Sequence, residues 1–199
     1  TAASAFTEYR ADRKNPIPLI YQSGYLTIKG YDAIKNFYVL GYPNTEVKYG
    51  WLNFIAPFYT PVSSLETPFY IGKFWDELRD GDIDAFMIRL RAFFAGIPYE
   101  LNDQTERHYQ VIFYLVFKLL GQFVEAEVRS AFGRADAVVK TTDRTYVFEF
   151  KLDGSVDEAL RQIDDKGYLI PYTADGRQLV KVGASFDPAT RNVGEWKVV

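Results

Sequence analysis

GRADAVVKTTDRTYVFEFK, Gly133–Lys151, is the stretch whose reading decides the fold. Two runs rich in Val, Tyr and Phe flank Thr142-Asp143, a pair suited to a tight turn, so the segment predicts an antiparallel hairpin. With those two residues as the turn, the numbers of paired positions add to 285, and Asp136 falls opposite Glu149. Directly opposed residues share a sheet face, with Cβ atoms about 4.5–5.5 Å apart. Lys151 lies two residues beyond Glu149 and shares that face, whereas Phe148 and Phe150 point the other way, into a core. A symmetric longer loop keeps this pairing; an odd-length loop or a bulge breaks it.

Two carboxylates held this close repel each other, and a fold gains no stability from that alone. A hard divalent cation such as Mg²⁺ resolves the conflict, because it prefers oxygen ligands and takes one or two carboxylates beside waters and phosphate oxygens. A cation so placed lowers the pKa of a bound water. The Lys151 ammonium could then orient the nucleophile or offset charge in a transition state. The alternative is an exposed, salt-bridged ladder on an ordinary sheet, since charged cross-strand pairs are common.

Outward from the hairpin, Gln104–Leu120 predicts a helix capped by Asn102 or Asp103 and stopped by Gly121, apolar nearly all round. Phe123–Arg129 reads as a strand before the hairpin, Val156–Lys166 as a helix after it, and Gln178–Phe186 and Gly194–Val199 as strands. The order is αβββαβ with an added strand. If Ala131-Phe132 is the tip of the preceding turn, Glu127 lies opposite Asp136 and becomes a further candidate, with a solvated strand face as the plainer reading. Gln162 and Lys166 stand four apart on one helix face, where a surface pair is the ordinary arrangement. Tyr168 reads as a packing residue.

Upstream, Phe69, Phe74 and Leu78, then Ile83, Phe86, Ile88, Leu90 and Phe93, predict two antiparallel helices joined at Arg79–Asp82. Thr1 to about Thr60 is aromatic-rich and punctuated by Pro and Gly. There Leu19–Lys29 suits a strand or a helix–strand boundary, and Thr45–Phe58 a helix that Pro57 ends. The expected organisation is a small winged-helix-like region at 1–60, a helical connector at 61–100 and a catalytic-type domain at 101–199.

Composition narrows the function. There is no cysteine, so disulfides and thiolate zinc sites are excluded, which fits a reducing cytoplasm. The single histidine, His108, cannot build a His-rich zinc site. The apolar run Val111–Leu120 is interrupted by Lys118 and falls short of the roughly 20 residues that span a bilayer, so no membrane partner is expected. No P-loop of the form GxxxxGK[ST] occurs. Net charge is −3, and Leu101–Val199 holds 13 Lys and Arg against 15 Asp and Glu. That balance argues against an autonomous binder of nucleic acid, which needs a basic excess. It weighs less against an enzyme whose metal brings its own positive charge. The aromatic content of 17% reads as packing, because IYQSGYLTIKGY and NFYVLGYP lack the interleaved basic residues of a stacking platform. The opening at Thr1, with no secretory leader, suggests a piece of something longer.

The segment GRADAVV followed by YVFEFKLDGSVDEALRQIDDKGY resembles the PD-(D/E)XK nuclease superfamily, and more narrowly the nuclease-like domain of bacterial proteins with an AAA-ATPase-like N-terminal domain. The likeness extends back through EAEVRSAFGRAD and TERHYQVIFYLVFKLLG, while GYLTI and LGYPNTEV resemble the join to the ATPase-like part. It implies a restriction-endonuclease-like αβββαβ core, α/β in class within a chain that is α+β overall. It also implies Mg²⁺ or Mn²⁺ as cofactor, DNA as the expected partner and an ATPase-like domain outside this chain. The resemblance carries the metal-binding acids onto Asp136 and Glu149, the lysine onto Lys151, a further metal-binding Glu onto Glu106 and a site-lining Gln onto Gln162. Ala135-Asp136 stands where the family motif has Pro-Asp, a departure at a residue that is not a ligand. Two functions compete: a metal-dependent nuclease, and a catalytically idle module that keeps the fold as an interaction platform. A third, weaker expectation is strand binding by the first 60 residues.

Overall fold

The computed structural model describes residues 1–6, 15–60, 62–96, 106–121, 125–128, 135–152, 154–187 and 189–199. The chain forms two compact units, Thr1–Phe54 and Ile55–Val199.

In the first unit, helix α1 (Ile17–Gln22) leads into strands β1 (Thr27–Asp32) and β2 (Phe37–Gly41), and helix α2 (Thr45–Ile55) follows. The sequence at Leu19–Lys29 is therefore a helix–strand boundary. The β1–β2 pair is antiparallel with a bulge between Ile28 and Gly30, and Asp32 Oδ1 accepts from the Ile34 and Lys35 amides to shape its turn. Asn44 caps α2 by accepting from the Val47 amide at 2.8 Å. Pro57 does not continue α2; it sits in a short 3-10 turn, Ala56–Phe58. Aromatic side chains pack on one another here, Tyr25 on Trp51 at 4.7 Å and Phe6 on Tyr38 at 5.0 Å between ring centroids.

The second unit places helices α3 (Thr67–Asp80), α4 (Ile83–Ala95) and α5 (Glu106–Leu120) ahead of a five-stranded sheet. Strands β3 (Glu125–Val128), β4 (Ala137–Lys140), β5 (Arg144–Lys151), β6 (Gln178–Asp187) and β7 (Asn192–Val198) lie in sequence order across it. Only β5 and β6 are parallel. A parallel pair needs a crossover, and helix α6 (Val156–Asp165) supplies it. The mixed α/β architecture and the αβββαβ order with one added strand agree with the sequence reading.

The two faces of β5 bury different sets. Phe148 is fully buried, 5.6 Å from the Phe86 ring and 5.1 Å from Phe117, and Phe113 meets Phe150 at 4.1 Å, so α4 and α5 cover that face. Tyr146 shares the face, and its hydroxyl donates to the Leu78 carbonyl at 2.8 Å, tying β5 to the end of α3. On the other face Val138 and Val147 pack with Val156, Leu160, Ile163 and Tyr168. From Val111 to Leu120, helix α5 is buried or half-buried at every position but Tyr114, as its apolar sequence predicts.

Two members of the expected apolar stripes are not in the core. Phe69 is 63% exposed and Ile88 58% exposed. The buried stripe of α3 runs through Thr67, Ile71, Phe74 and Leu78, and that of α4 through Ile83, Phe86, Met87, Leu90, Phe93 and Phe94. Phe69 lies midway between Thr67 and Ile71, and Ile88 one residue after Met87 and two before Leu90, so each projects off the buried face. We therefore expect Phe148→Ala to cost about 3–5 kcal/mol in chemical denaturation. Phe69→Ala should change stability by no more than about 0.5 kcal/mol.

Candidate active site

The hairpin turn fixes the site. The Thr141 amide donates to the Arg144 carbonyl at 2.9 Å, and Thr141 Oγ1 accepts from the Arg144 amide at 3.1 Å, closing a turn on Thr142-Asp143. The ladder then pairs Lys140 with Thr145, Val138 with Val147 and Ala137 with Phe148, the register in which paired numbers add to 285. Asp136 lies one residue before β4, and the same register carries it opposite Glu149. Its Oδ2 accepts from the Phe150 amide at 2.8 Å, which anchors the carboxylate beside β5.

Glu149 is not part of an exposed ladder. It is 3% exposed, because α6 lies across its face of the sheet. That helix starts in a capping box, with Ser155 Oγ accepting from the Glu158 amide and Glu158 from the Ser155 amide. Its buried stripe is Val156, Ala159, Leu160 and Ile163, and Gln162 sits beside that stripe, turned toward β5. Gln162 Nε2 donates to Glu149 Oε1 and, at 3.2 Å, to the Tyr168 hydroxyl, while Gln162 Oε1 accepts from Lys151 Nζ. Lys151 Nζ also reaches Glu149 Oε1 at 3.3 Å. The surface pairing of Gln162 with Lys166 is thus replaced by an inward one, and Lys166 stays exposed at the end of α6.

The charges in this cluster are unbalanced. Burial pushes the Glu149 carboxyl from its ordinary 4.5 up to about 7, the Asp136 charge pushes in the same direction, and Lys151 offsets only part of it. Burial also raises Asp136, against the pull of the Phe150 amide and Lys151. Glu149 Oε2 is buried and has no hydrogen-bond partner among the described residues. A buried carboxylate oxygen without a donor is costly, and here it sits beside a second acid. The donor set is hard oxygen, which suits Mg²⁺ or Mn²⁺ and not a thiophilic metal. Among the described residues no group of three or more His, Cys, Asp or Glu side chains comes together, so the described donors are this pair.

The remaining candidates divide. Glu106 begins α5, but its side chain, like that of His108, lies outside the described residues. Glu127 is not opposite Asp136: it pairs with Val138, and Glu125 pairs with Lys140. The expected tip at Ala131-Phe132 makes paired numbers add to 263, whereas the observed β3–β4 register adds to 265, a slip of two residues. Positions 129–134 lie outside the described residues. Tyr168 packs in the α6 cluster, as read, yet it also touches the site through Gln162. The signal for that was Gly167, whose φ of 62° turns the chain back so that the Tyr168 amide donates to the Ile163 carbonyl.

A hairpin that presents two acids and a lysine, backed by a helix that delivers a glutamine, has a counterpart among known families. Residues 104–196 match the model of the PD-(D/E)XK nuclease superfamily. Asp136, Glu149, Lys151 and Gln162 all fall inside the matched stretch. The chain is also 33% identical over 184 residues to the "Uncharacterized protein in vnfD 5'region" of Azotobacter chroococcum, an alignment covering 88% of this chain and 36% of that protein. The chain thus spans about a third of the relative's length. No solved structure matches it.

The raised Glu149 pKa sets a pH dependence for the chain free of metal. The folded state binds the Glu149 proton more tightly than the unfolded state, so this stabilisation is full below about pH 4.5 and is lost as pH rises through about 7. Denaturant titrations in chelator should show stability falling between about pH 5 and 8, by as much as about 3 kcal/mol. Glu149→Gln should flatten the curve in that window, and an unchanged slope in the variant would show that the titration belongs to other groups.

Proposed function

We propose that this chain carries a PD-(D/E)XK nuclease domain that hydrolyses phosphodiester bonds, with DNA as the substrate. The observation that supports it best is the buried Oε2 of Glu149 beside Asp136, without a hydrogen-bond partner among the described residues and within the stretch that matches the nuclease model. Asp136 and Glu149 would hold Mg²⁺ or Mn²⁺, with Glu106 from the start of α5 as a further donor. Once bound, the cation would supply positive charge against the phosphate and lower the pKa of a coordinated water.

The chain's own groups have distinct parts. The Phe150 amide holds Asp136, leaving its other oxygen for the site. Gln162 occupies Glu149 Oε1, so that Oε2 is the oxygen left to bind a cation. Lys151, held at the acids by Glu149 and Gln162, carries the positive charge that orients an attacking water or meets the charge that builds on the phosphate. Tyr168 fixes Gln162 from behind. An ATPase-like portion of a longer protein and a cytoplasmic setting belong to the same proposal.

The net acidic charge favours a second reading, a catalytically idle nuclease fold that serves as an interaction module. Cleavage separates the two. Incubated with Mn²⁺ and single- and double-stranded DNA, the wild-type chain should cut, and Asp136→Ala, Glu149→Ala and Lys151→Ala should each lose about a hundredfold or more in rate. Gln162→Ala should weaken Mn²⁺ affinity by about 10–100-fold. A wild-type chain that binds Mn²⁺ but cuts neither these DNAs nor RNA supplied in their place would favour the idle module, and variants that cut as fast as wild type would remove these residues from the reaction.

A further inference from the structure

Strand β5 ends at Lys151 and α6 begins at Val156, so only a few residues carry the chain from the sheet to the helix. Gly154 folds back against the lysine in this short connection. A Cβ added at Gly154 would stand 3.2 Å from Lys151 Cβ, 3.3 Å from Lys151 Cγ and 2.7 Å from Glu158 Oε2. None of the three gives way freely. Glu158 Oε2 is held by the Ser155 amide at 2.8 Å as half of the capping box. Lys151 Cβ is fixed by β5, which pairs with Ser185 of β6 at that position. The atom freest to move is Lys151 Cγ, which must give by a few tenths of an ångström, and it gives by turning χ1 off its present value. Such a rotation would swing the ammonium away from Glu149 Oε1 and Gln162 Oε1, which hold it now.

We propose that Gly154 is the positioning residue for Lys151: the missing side chain at 154 is the seat in which the lysine stem lies, with the start of α6 locked over it by the Ser155–Glu158 box. The lysine reaches the acid pair because the helix begins on a glycine-backed surface. The mechanistic weight of this seat rests on reading Lys151 as the lysine of a nuclease site, but the seat itself is a matter of packing and is tested without catalysis.

The test is amine acylation of the full chain in chelator, with mass spectrometry following Lys151 against Lys166, which is exposed at the end of α6. In wild type, Lys151 should react several-fold more slowly than Lys166, because its ammonium is engaged and largely covered. In Gly154→Ala the protection should vanish, so that both lysines react alike. Glu158→Ala removes the cap partner but leaves the seat empty, and Lys151 should stay protected in it. A Gly154→Ala chain with Lys151 as protected as in wild type overturns the proposal. So does a Glu158→Ala chain whose Lys151 is as reactive as in Gly154→Ala, because the cap alone would then hold the lysine. If Gly154→Ala does not fold, the same substitution in a Lys151→Ala background decides: a folded double variant supports the seat, and an equal failure overturns it. Cleavage enters none of these readouts, so the seat and the nuclease reading can fail separately.

Discussion

The burial of Glu149 is the constraint from which the site follows. A carboxyl group that is 3% exposed, beside a second acid, is expensive in its charged form, and the fold does not relieve the expense by itself. Lys151 and Gln162 both bind the same oxygen, Oε1, and among the described residues Oε2 has no hydrogen-bond partner. If the cluster served stability alone, an apolar residue at 149 would do as well or better, since buried ion pairs often compare poorly with hydrophobic replacements. Holding a charge in this place makes sense when something outside the chain completes it.

The surrounding structure is arranged to keep that carboxylate in place. The turn at Thr142-Asp143 fixes the register, the register puts Asp136 opposite Glu149, and the Phe150 amide pins Asp136. Phenylalanines 86, 117 and 148 form the platform behind β5, and α6 closes the front. The site is therefore carried by strands and a helix with packed cores on both sides, the kind of support that holds reacting groups to a narrow geometry.

How much of this could be read in the sequence depended on how local the determining contacts are. The hairpin was legible because its turn chemistry and its alternation sit within Gly133–Lys151, and Asp136, Glu149 and Lys151 come out of it together. The burial of Glu149 was not, because it comes from α6, whose amphipathic stripe shows that it packs but not what it packs against. For the same reason Gln162 looked equally like a surface partner of Lys166, and Tyr168 like plain filling. The pairing of Glu127 was not legible because the connection before β4 has no strong turn signal to fix the register of β3. Phe69 and Ile88 show that aromatic or branched character does not place a residue in the core when its angular position on the helix is wrong.

Calorimetric titration of Mn²⁺ into the wild-type chain and into Glu149→Gln tests most directly whether a divalent cation completes the Asp136–Glu149 pair. A saturable binding isotherm is expected for wild type near neutral pH, and its loss, or a weakening of about a hundredfold, in the variant. A wild-type chain that takes up no Mn²⁺ would contradict it, and the buried carboxylate would then belong to a scaffold.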